Sequence, residues 1–206
     1  PKMVQVGVFE TWFHRTIPDY ATVYGLPFQL AEKHALRKFG FHGASHRYVS
    51  ESVQDILGIP ADIAKVVSCH LGSGTSVAAI LHGKSVEISS GYTPQSGTMM
   101  SSRAGDFDPE VLMFLLSTGT MTVQEIRSML QRDCGLKGIS GVSSDLREVI
   151  GAANARHQRA LLAVEAFCYR VKQYIGVCAV AMDGVDIVAF TGGVGERNPY
   201  IRRQIC

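Results

Sequence analysis

The stretch Val66–Gly91 reads VVSCHLGSGTSVAAILHGKSVEISSG. Apolar Val66 to Cys69 meets His70-Leu71-Gly72-Ser73-Gly74-Thr75-Ser76, and a second apolar run, Val77 to Leu81, leaves it. That pattern predicts strand, tight glycine loop, strand. His82-Gly83 then offers a two-residue turn, with Gly suited to positive φ, and Lys84 to Ile88 returns as a third strand. The expected product is an antiparallel ribbon with a polar, glycine-rich loop at one end. Gly72 and Gly74 lack a Cβ, so the backbone can close on a ligand, while Ser73, Thr75 and Ser76 add hydroxyl donors beside free N–H groups. That chemistry suits a phosphate, although Gly-Ser-Gly between strands is by itself ordinarily only a connection. A second glycine loop, Thr191-Gly192-Gly193-Val194-Gly195-Glu196, follows the apolar run Val185 to Phe190 and precedes a helical pattern. Two strand-terminal glycine loops suggest a nucleotide held between them.

A chain of 206 residues with 46% hydrophobic content can bury a substantial core as one large domain or two small ones. Twenty basic side chains stand against 18 acidic ones, with no basic block or acidic tail, so neither nucleic acid nor a membrane surface is the expected partner. No apolar run reaches the ~20 residues of a spanning helix, and Pro1-Lys2-Met3-Val4-Gln5-Val6 lacks the layout of a signal peptide. A cytoplasmic location is therefore expected. Cys69, Cys134, Cys168, Cys178 and Cys206 form no CxxC pair and read as reduced core thiols. His42 and His46 have a metal-like spacing, but no Glu follows the first and no Cys is near, so zinc is the weaker reading.

In order along the chain, Lys2 to Phe9 predicts a strand that delivers Glu10 beside His14 and Arg15, a candidate general base or metal-water ligand. Tyr20 to Leu36 suggests no long element. Gly40-Phe41-His42-Gly43-Ala44-Ser45-His46 precedes a helix predicted from His46 to about Leu57, capped by Ser45 and buried through Val49, Val53, Ile56 and Leu57. Two histidines, an aromatic ring and a helix N-terminus beside glycines would make an anion or transition-state clamp. Arg103 lies near Asp106 and Asp108, either as a planar donor for an anion or as a paired surface arginine. Helices are predicted from Asp108-Pro109 to about Thr118 and from Thr122 to near Cys134-Gly135. Ser140 to Arg147 is a polar loop entering a helix, where Asp145 and Arg147 either contact a nucleoside or serve the helix cap. Arg156 to Ala181 is one long helical pattern that reads as a buried core helix, and Pro199 starts a last one.

Taken together, VFETWFHRTIP, GFHGASHRYVSE, HLGSGTS, GYTPQSG, SRAGDFDP, SGVSSDLRE and FTGGVGER, in that order, strongly resemble the acetate kinase family, short-chain acyl kinases of the actin, Hsp70 and sugar kinase superfamily. The resemblance runs from Val6 to Cys206. It implies an α/β, actin-like ATPase (ribonuclease H-like) domain with a mixed sheet and flanking helices, part of a two-domain kinase. Residues 1–16 would be the last strand of the first domain and residues 17–206 the second, nucleotide-binding domain, with further segments expected on both sides. The implied reaction is reversible phosphoryl transfer between ATP and acetate, dependent on Mg2+, in a homodimer.

By position, the resemblance implies that Glu10 orients or deprotonates at the reacting carboxyl, that His42 and Arg103 stabilise the phosphoryl group in flight, and that Phe41 and Pro94 form the acyl pocket. His70, Leu71, Gly72, Ser73 and Gly74, then Asp145, Leu146 and Arg147, then Gly193, Val194, Gly195, Glu196 and Arg197 would bind the nucleotide. No metal ligand is expected within this chain. Glu10 stands where the family normally has Asp, Ser73 where it has Asn, and Arg197 where it has Asn. Propionate or butyrate as the acid, or a non-catalytic nucleotide-binding or dimerising remnant, are the alternatives.

Overall fold

The computed structural model describes residues 3–60 and 62–206. After a 3-10 turn, Trp12–Thr16, come α1 (Asp19–Thr22), α2 (Phe28–His34) and α3 (Gly43–Leu57). β1 (Lys65–Leu71), β2 (Thr75–Leu81) and β3 (Lys84–Ile88) follow, then α4 (Glu110–Ser117), α5 (Val123–Arg132), α6 (Gly135–Ser140), α7 (Leu146–Asn154) and α8 (Gln158–Ala181). β4 (Ile187–Thr191), α9 (Gly192–Arg197) and α10 (Pro199–Ile205) close the chain.

The ribbon expected from Val66–Gly91 forms: β1 pairs antiparallel with β2, and β2 with β3 across a register shift at Ala79/Ile80. His82 (φ 52°) and Gly83 (φ 73°) make the tight turn with both residues left-handed, which matches the twist of the strands they join. β4 adds parallel to β1, with Cys69 opposite Phe190, so the sheet is mixed in the order β3-β2-β1-β4. A parallel neighbour needs a crossover, and α8 belongs to it, lying across β2 and β1.

Side chains alternate across this sheet with period two. Val67, Cys69, Leu71, Val77 and Ala79 enter the larger core with Leu146, Val149, Phe167 and Val171. Val66 and Ile80 point the other way, onto Val53 of α3. Ser68, His70 and Ser76 share that second face. The side of the sheet toward α8 is thus mainly apolar, while the other becomes polar toward the Gly72-Ser73-Gly74 end.

Several expectations are corrected. Met3 to Phe9 is not a strand: Val4, Val6 and Phe9 are 85%, 80% and 79% exposed, because among the described residues no strand pairs with this run to satisfy its backbone. Lys2 of the predicted strand lies outside the described residues. Tyr20 to Leu36, as expected, holds no long element, only the short helices α1 and α2. α3 begins at Gly43, so Ser45 is not its cap; the hydroxyl instead meets His70 Nδ1 at 2.9 Å. Val49 and Val53 of α3 are buried, but Ile56 and Leu57 are exposed. Gly192 to Arg197 is itself a helical turn, since Gly192 takes φ 76° and packs where a Cβ would lie 2.6 Å from the Leu71 carbonyl oxygen. α8 is buried along one face only; Leu162, Tyr169, Val177 and Val180 are exposed. Thr122 caps α5 through a reciprocal pair with Glu125, and Asp145 caps α7. Among the described residues no helix is long and apolar enough to cross a membrane. Cys69 and Cys178 are fully buried in the larger core, Cys134 is half-buried and Cys206 is exposed.

Candidate functional site

Four histidines meet on the polar face of the sheet. His42 sits at the entrance to α3 with φ 56°. A left-handed backbone at a non-glycine residue costs ~1–3 kcal/mol and persists only where surroundings enforce it. Here the His42 N–H donates to Glu10 Oε2 at 3.0 Å, Nδ1 is hydrogen-bonded to Ser76 Oγ at 2.8 Å, and the ring stacks on His70 with centroids 4.2 Å apart. The next residue must be Gly43, because a Cβ there would stand 2.1 Å from the Glu10 carbonyl oxygen. His46, one turn into α3 and fully buried, spends both ring nitrogens on serine hydroxyls, Ser68 and Ser76, each at 2.8 Å. His14 donates from Nε2 to the Phe41 carbonyl at 2.9 Å and meets Ser85 Oγ with Nδ1 at 2.9 Å.

Burial sets the charge of this cluster. It lowers His14 from 6.5 to about 4, and with the neighbouring His70 it lowers His42 to about 4, Glu10 pulling weakly the other way. His46 is held far below its ordinary value by burial, and His70 is lowered by the same cause. At neutral pH these imidazoles are therefore uncharged donors and acceptors.

Arg103 approaches from the loop after β3. Its Nη1 donates to the Pro94 carbonyl at 2.7 Å. Its other terminal nitrogen flanks Gly74, where a Cβ would lie 3.0 Å from Nη2 and 3.3 Å from His42 Nε2. Neither nearby carboxylate pairs with it: Asp106 accepts from the Gly97 N–H and the Tyr174 hydroxyl, and Asp108 accepts from the Glu110 N–H. Of the two sequence readings, the paired surface arginine is thus excluded, and Arg103 Nη2 with His42 Nε2 remains free of hydrogen-bonded protein partners among the described residues. An unspent guanidinium nitrogen and an unspent imidazole nitrogen flank this bare glycine backbone, and an anionic oxygen is taken by the first and by the second when its Nε2 carries the proton.

On the far side of Gly72-Ser73-Gly74 lies a cleft of about 560 Å³, lined in part by Gly72, Ser73, Asp145, Arg147, Gly193 and Arg197. That volume lies within the ~300–1,000 Å³ usual for small-molecule sites. Asp145 caps α7 and grips Arg147, Nε to Oδ1 at 3.0 Å, and that pairing lowers the Asp145 carboxyl to about 2. The cap reading of this pair is thus observed, and Arg147 remains an exposed cation on the cleft wall.

The structure brings Glu10, His42, His70, Gly74 and Arg103 together, and Gly72, Ser73, Asp145, Leu146, Arg147, Gly193, Val194 and Arg197 around the cleft. Leu71 and Gly195 are buried in the core, and Glu196 faces solvent with its carbonyl accepting from Arg202. Phe41 and Pro94 do not line the cleft; their carbonyls serve His14 and Arg103. Thr75 and Ser76 are buried, so their hydroxyls do not face a ligand as the loop reading supposed, and His46, enclosed by serines, cannot join an anion clamp. Sequence reasoning missed Ser101, Leu136, Ser144, Phe167 and Asn198 on the cleft wall, and the roles of Ser45 and Ser68. A polar residue interrupting an apolar strand, as Ser68 does, was the available signal. Among the described residues no cluster of His, Cys, Asp and Glu side chains could hold a metal ion.

The mixed sheet, the glycine turn beside the cleft and the flanking helices define an α/β domain of the actin-like ATPase type. The chain belongs to the acetokinase family, whose model matches residues 1–206. It is 47% identical over 204 residues to an acetate kinase of Caldicellulosiruptor saccharolyticus, covering 99% of this chain and 51% of that protein. A crystal structure of Porphyromonas gingivalis acetate kinase superposes with TM-score 0.94 and 44% identity over 97% of this chain and 50% of its own. A propionate kinase from Francisella tularensis gives TM-score 0.91 and 40% identity over 96% of this chain and 51% of its own. The chain spans about half the length of the relatives it matches.

Proposed function

We propose that this chain is the nucleotide-side part of an acetate kinase, which transfers the terminal phosphoryl group of ATP to acetate, reversibly, giving acetyl phosphate and ADP. The observation that carries the reading is the pair of unspent nitrogens, Arg103 Nη2 and His42 Nε2, flanking Gly74 next to the nucleotide-sized cleft. A carboxylate oxygen of acetate attacks the terminal phosphorus in line as the bond to the ADP oxygen breaks. Acetate is already ionised at neutral pH, so no base is needed. Glu10 then acts by orientation, holding the strained His42 backbone. Arg103 supplies a fixed positive charge and His42 a neutral N–H to the equatorial oxygens, the positioning and electrostatic help that phosphoryl transfer needs most. Phe41 and Pro94 stand nearest the acyl group. The 70–74 turn, the Asp145–Arg147 pair and the start of α9 hold phosphates and nucleoside. Magnesium would arrive with the nucleotide; among the described residues no group of His, Cys, Asp and Glu side chains is placed to hold it.

In this reading residues 1–16 join a first kinase domain and residues 17–206 form the second. A homodimer of the full-length protein belongs to the same reading. Alone, the 206-residue chain retains nucleotide affinity and turns over poorly, because a kinase closes two domains around its substrates. Calorimetric titration with magnesium ADP tests this: saturable binding, weakened by Arg147→Ala, is expected. A folded chain that shows no binding refutes it. Propionate is the second reading, favoured by the similarity to a propionate kinase. Relative rates of a full-length version on acetate, propionate and butyrate decide, since each methylene in an apolar pocket shifts discrimination by ~1–3 kcal/mol.

A further inference from the structure

We infer that Ser76 is a positioning residue for the phosphoryl transfer proposed above, and that a one-way chain of hydrogen bonds running Ser68, His46, Ser76, His42 fixes His42 as the tautomer protonated on Nε2. The inference rests on that reading for its purpose, but the proton arrangement follows from the geometry alone.

Ser76 Oγ lies 2.8 Å from both His42 Nδ1 and His46 Nε2, and Ser68 Oγ lies 2.8 Å from His46 Nδ1. A serine hydroxyl has one proton to give, and a neutral imidazole has one N–H. Burial keeps both rings neutral. Apart from one in which both rings donate to Ser76 and strand its own buried proton, two arrangements are possible. In the first, His42 Nδ1–H donates to Ser76, Ser76 donates to His46 Nε2, and His46 Nδ1–H donates to Ser68. The Ser68 proton is then stranded, since the side chain is 0% exposed and His46 is its one hydrogen-bond partner among the described residues. In the second, Ser68 donates to His46 Nδ1, His46 Nε2–H donates to Ser76, and Ser76 donates to His42 Nδ1. Every buried proton now has an acceptor, and a buried donor left without one forfeits its hydration outright. The second arrangement prevails.

Its last proton sits on His42 Nε2. That atom has no hydrogen-bonded protein partner among the described residues and flanks Gly74 together with Arg103 Nη2. A proton there offers a donor to a phosphoryl oxygen, whereas the other tautomer would present a lone pair and repel it. Glu10, His14, His70 and Arg103 also face this ring, but none of them bonds to either of its nitrogens. Ser76 therefore decides whether His42 attracts or repels the transferring group, and Ser68, which does not touch His42, completes the chain three hydrogen bonds away.

The test is nitrogen NMR of the 206-residue chain labelled at histidine, with the His42 signals assigned by their loss in His42→Gln. In the unaltered chain we expect His42 and His46 each protonated on Nε2 and bare on Nδ1. Ser68→Ala should leave His42 protonated on Nε2, because the alternative would then strand the His46 Nδ1 proton instead. Ser76→Ala takes the donor away from His42 Nδ1, so His42 should become a mixture of tautomers, and Ser76→Thr, which keeps the hydroxyl, should restore the single form. His42 protonated on Nδ1 in the unaltered chain overturns the inference, as does a single Nε2 tautomer that survives Ser76→Ala. Should Ser76→Ala fail to fold, the tautomer in the unaltered chain still decides. No nucleotide enters the measurement, so absence of ADP binding with His42 protonated on Nε2 would refute the phosphoryl-transfer reading and leave the relay standing.

Discussion

Mild acid should loosen this chain through its buried histidines, and His14 allows the size of the effect to be worked out. It is 2% exposed and held at about 4 by burial against an ordinary 6.5. Between those two values the unfolded chain binds a proton that the folded chain refuses. Stability is therefore flat above 6.5 and falls as the pH drops through the window, by up to ~1.4 kcal/mol per pH unit for one group and about 3 kcal/mol across it. His46, fully buried and lowered for the same reason, adds to the fall in the same direction. His42 also titrates near 4, but it is partly open to solvent, so its share is smaller. Asp145 does not confuse the picture: its carboxyl is lowered to about 2, so its contribution is lost only further into acid. Against total stabilities of ~5–15 kcal/mol this is a large loss. Urea unfolding followed by far-UV circular dichroism, repeated from about pH 7.5 down to about pH 4.5, measures it. A midpoint that stays constant over that range, or rises toward acid, would refute the argument that these rings are buried and neutral.

Three further outcomes are expected. Gly43→Ala places a Cβ 2.1 Å from the Glu10 carbonyl oxygen and should lower stability by ~1–3 kcal/mol in urea unfolding while releasing His42 from Glu10. Phe167→Ala empties a side chain that is 1% exposed and packs both the core and the cleft wall; a loss of ~3–5 kcal/mol by the same assay is expected. Arg147→Ala removes an 87% exposed side chain, so the unfolding midpoint should hold while the Kd for magnesium ADP rises, as read by calorimetry.

Much of the fold is legible because period two is a strong signal. Val67, Cys69, Leu71, Val77 and Ala79 mark the apolar face of β1 and β2, and His82-Gly83 marks the turn between β2 and β3. The same alternation puts Ser68, His70 and Ser76 together on the opposite face, and their polarity was visible. What they meet was not: α3 comes from elsewhere in the chain, and only its packing against β1 shows that His46 lies between Ser68 and Ser76. Glu10 and His42 were each picked out by residue type, yet the bond joining them is a backbone N–H that no side-chain pattern announces. Met3 to Phe9 misled because strand propensity says nothing about whether a partner strand is present. The stretch from Gly192 to Arg197 misled in the other direction. Its glycines suggest an open loop, but they permit the close contact with Leu71 on which a helical turn is built.

The placement of the thiols gives this chain a clock for its own opening. Cys69 on the sheet and Cys178 on α8 lie in the layer that holds sheet and helices together, and burial pushes both thiols well above their ordinary value. Neither sulfur can form a reactive thiolate while that layer stays shut. Cys206, exposed at the end of the chain, is open to an alkylating reagent at all times. With excess reagent Cys206 is consumed at once and half-buried Cys134 after it, and where labelling outpaces reclosing the interior sulfurs follow only as fast as the sheet parts from α8, so their rate reads the frequency of that separation.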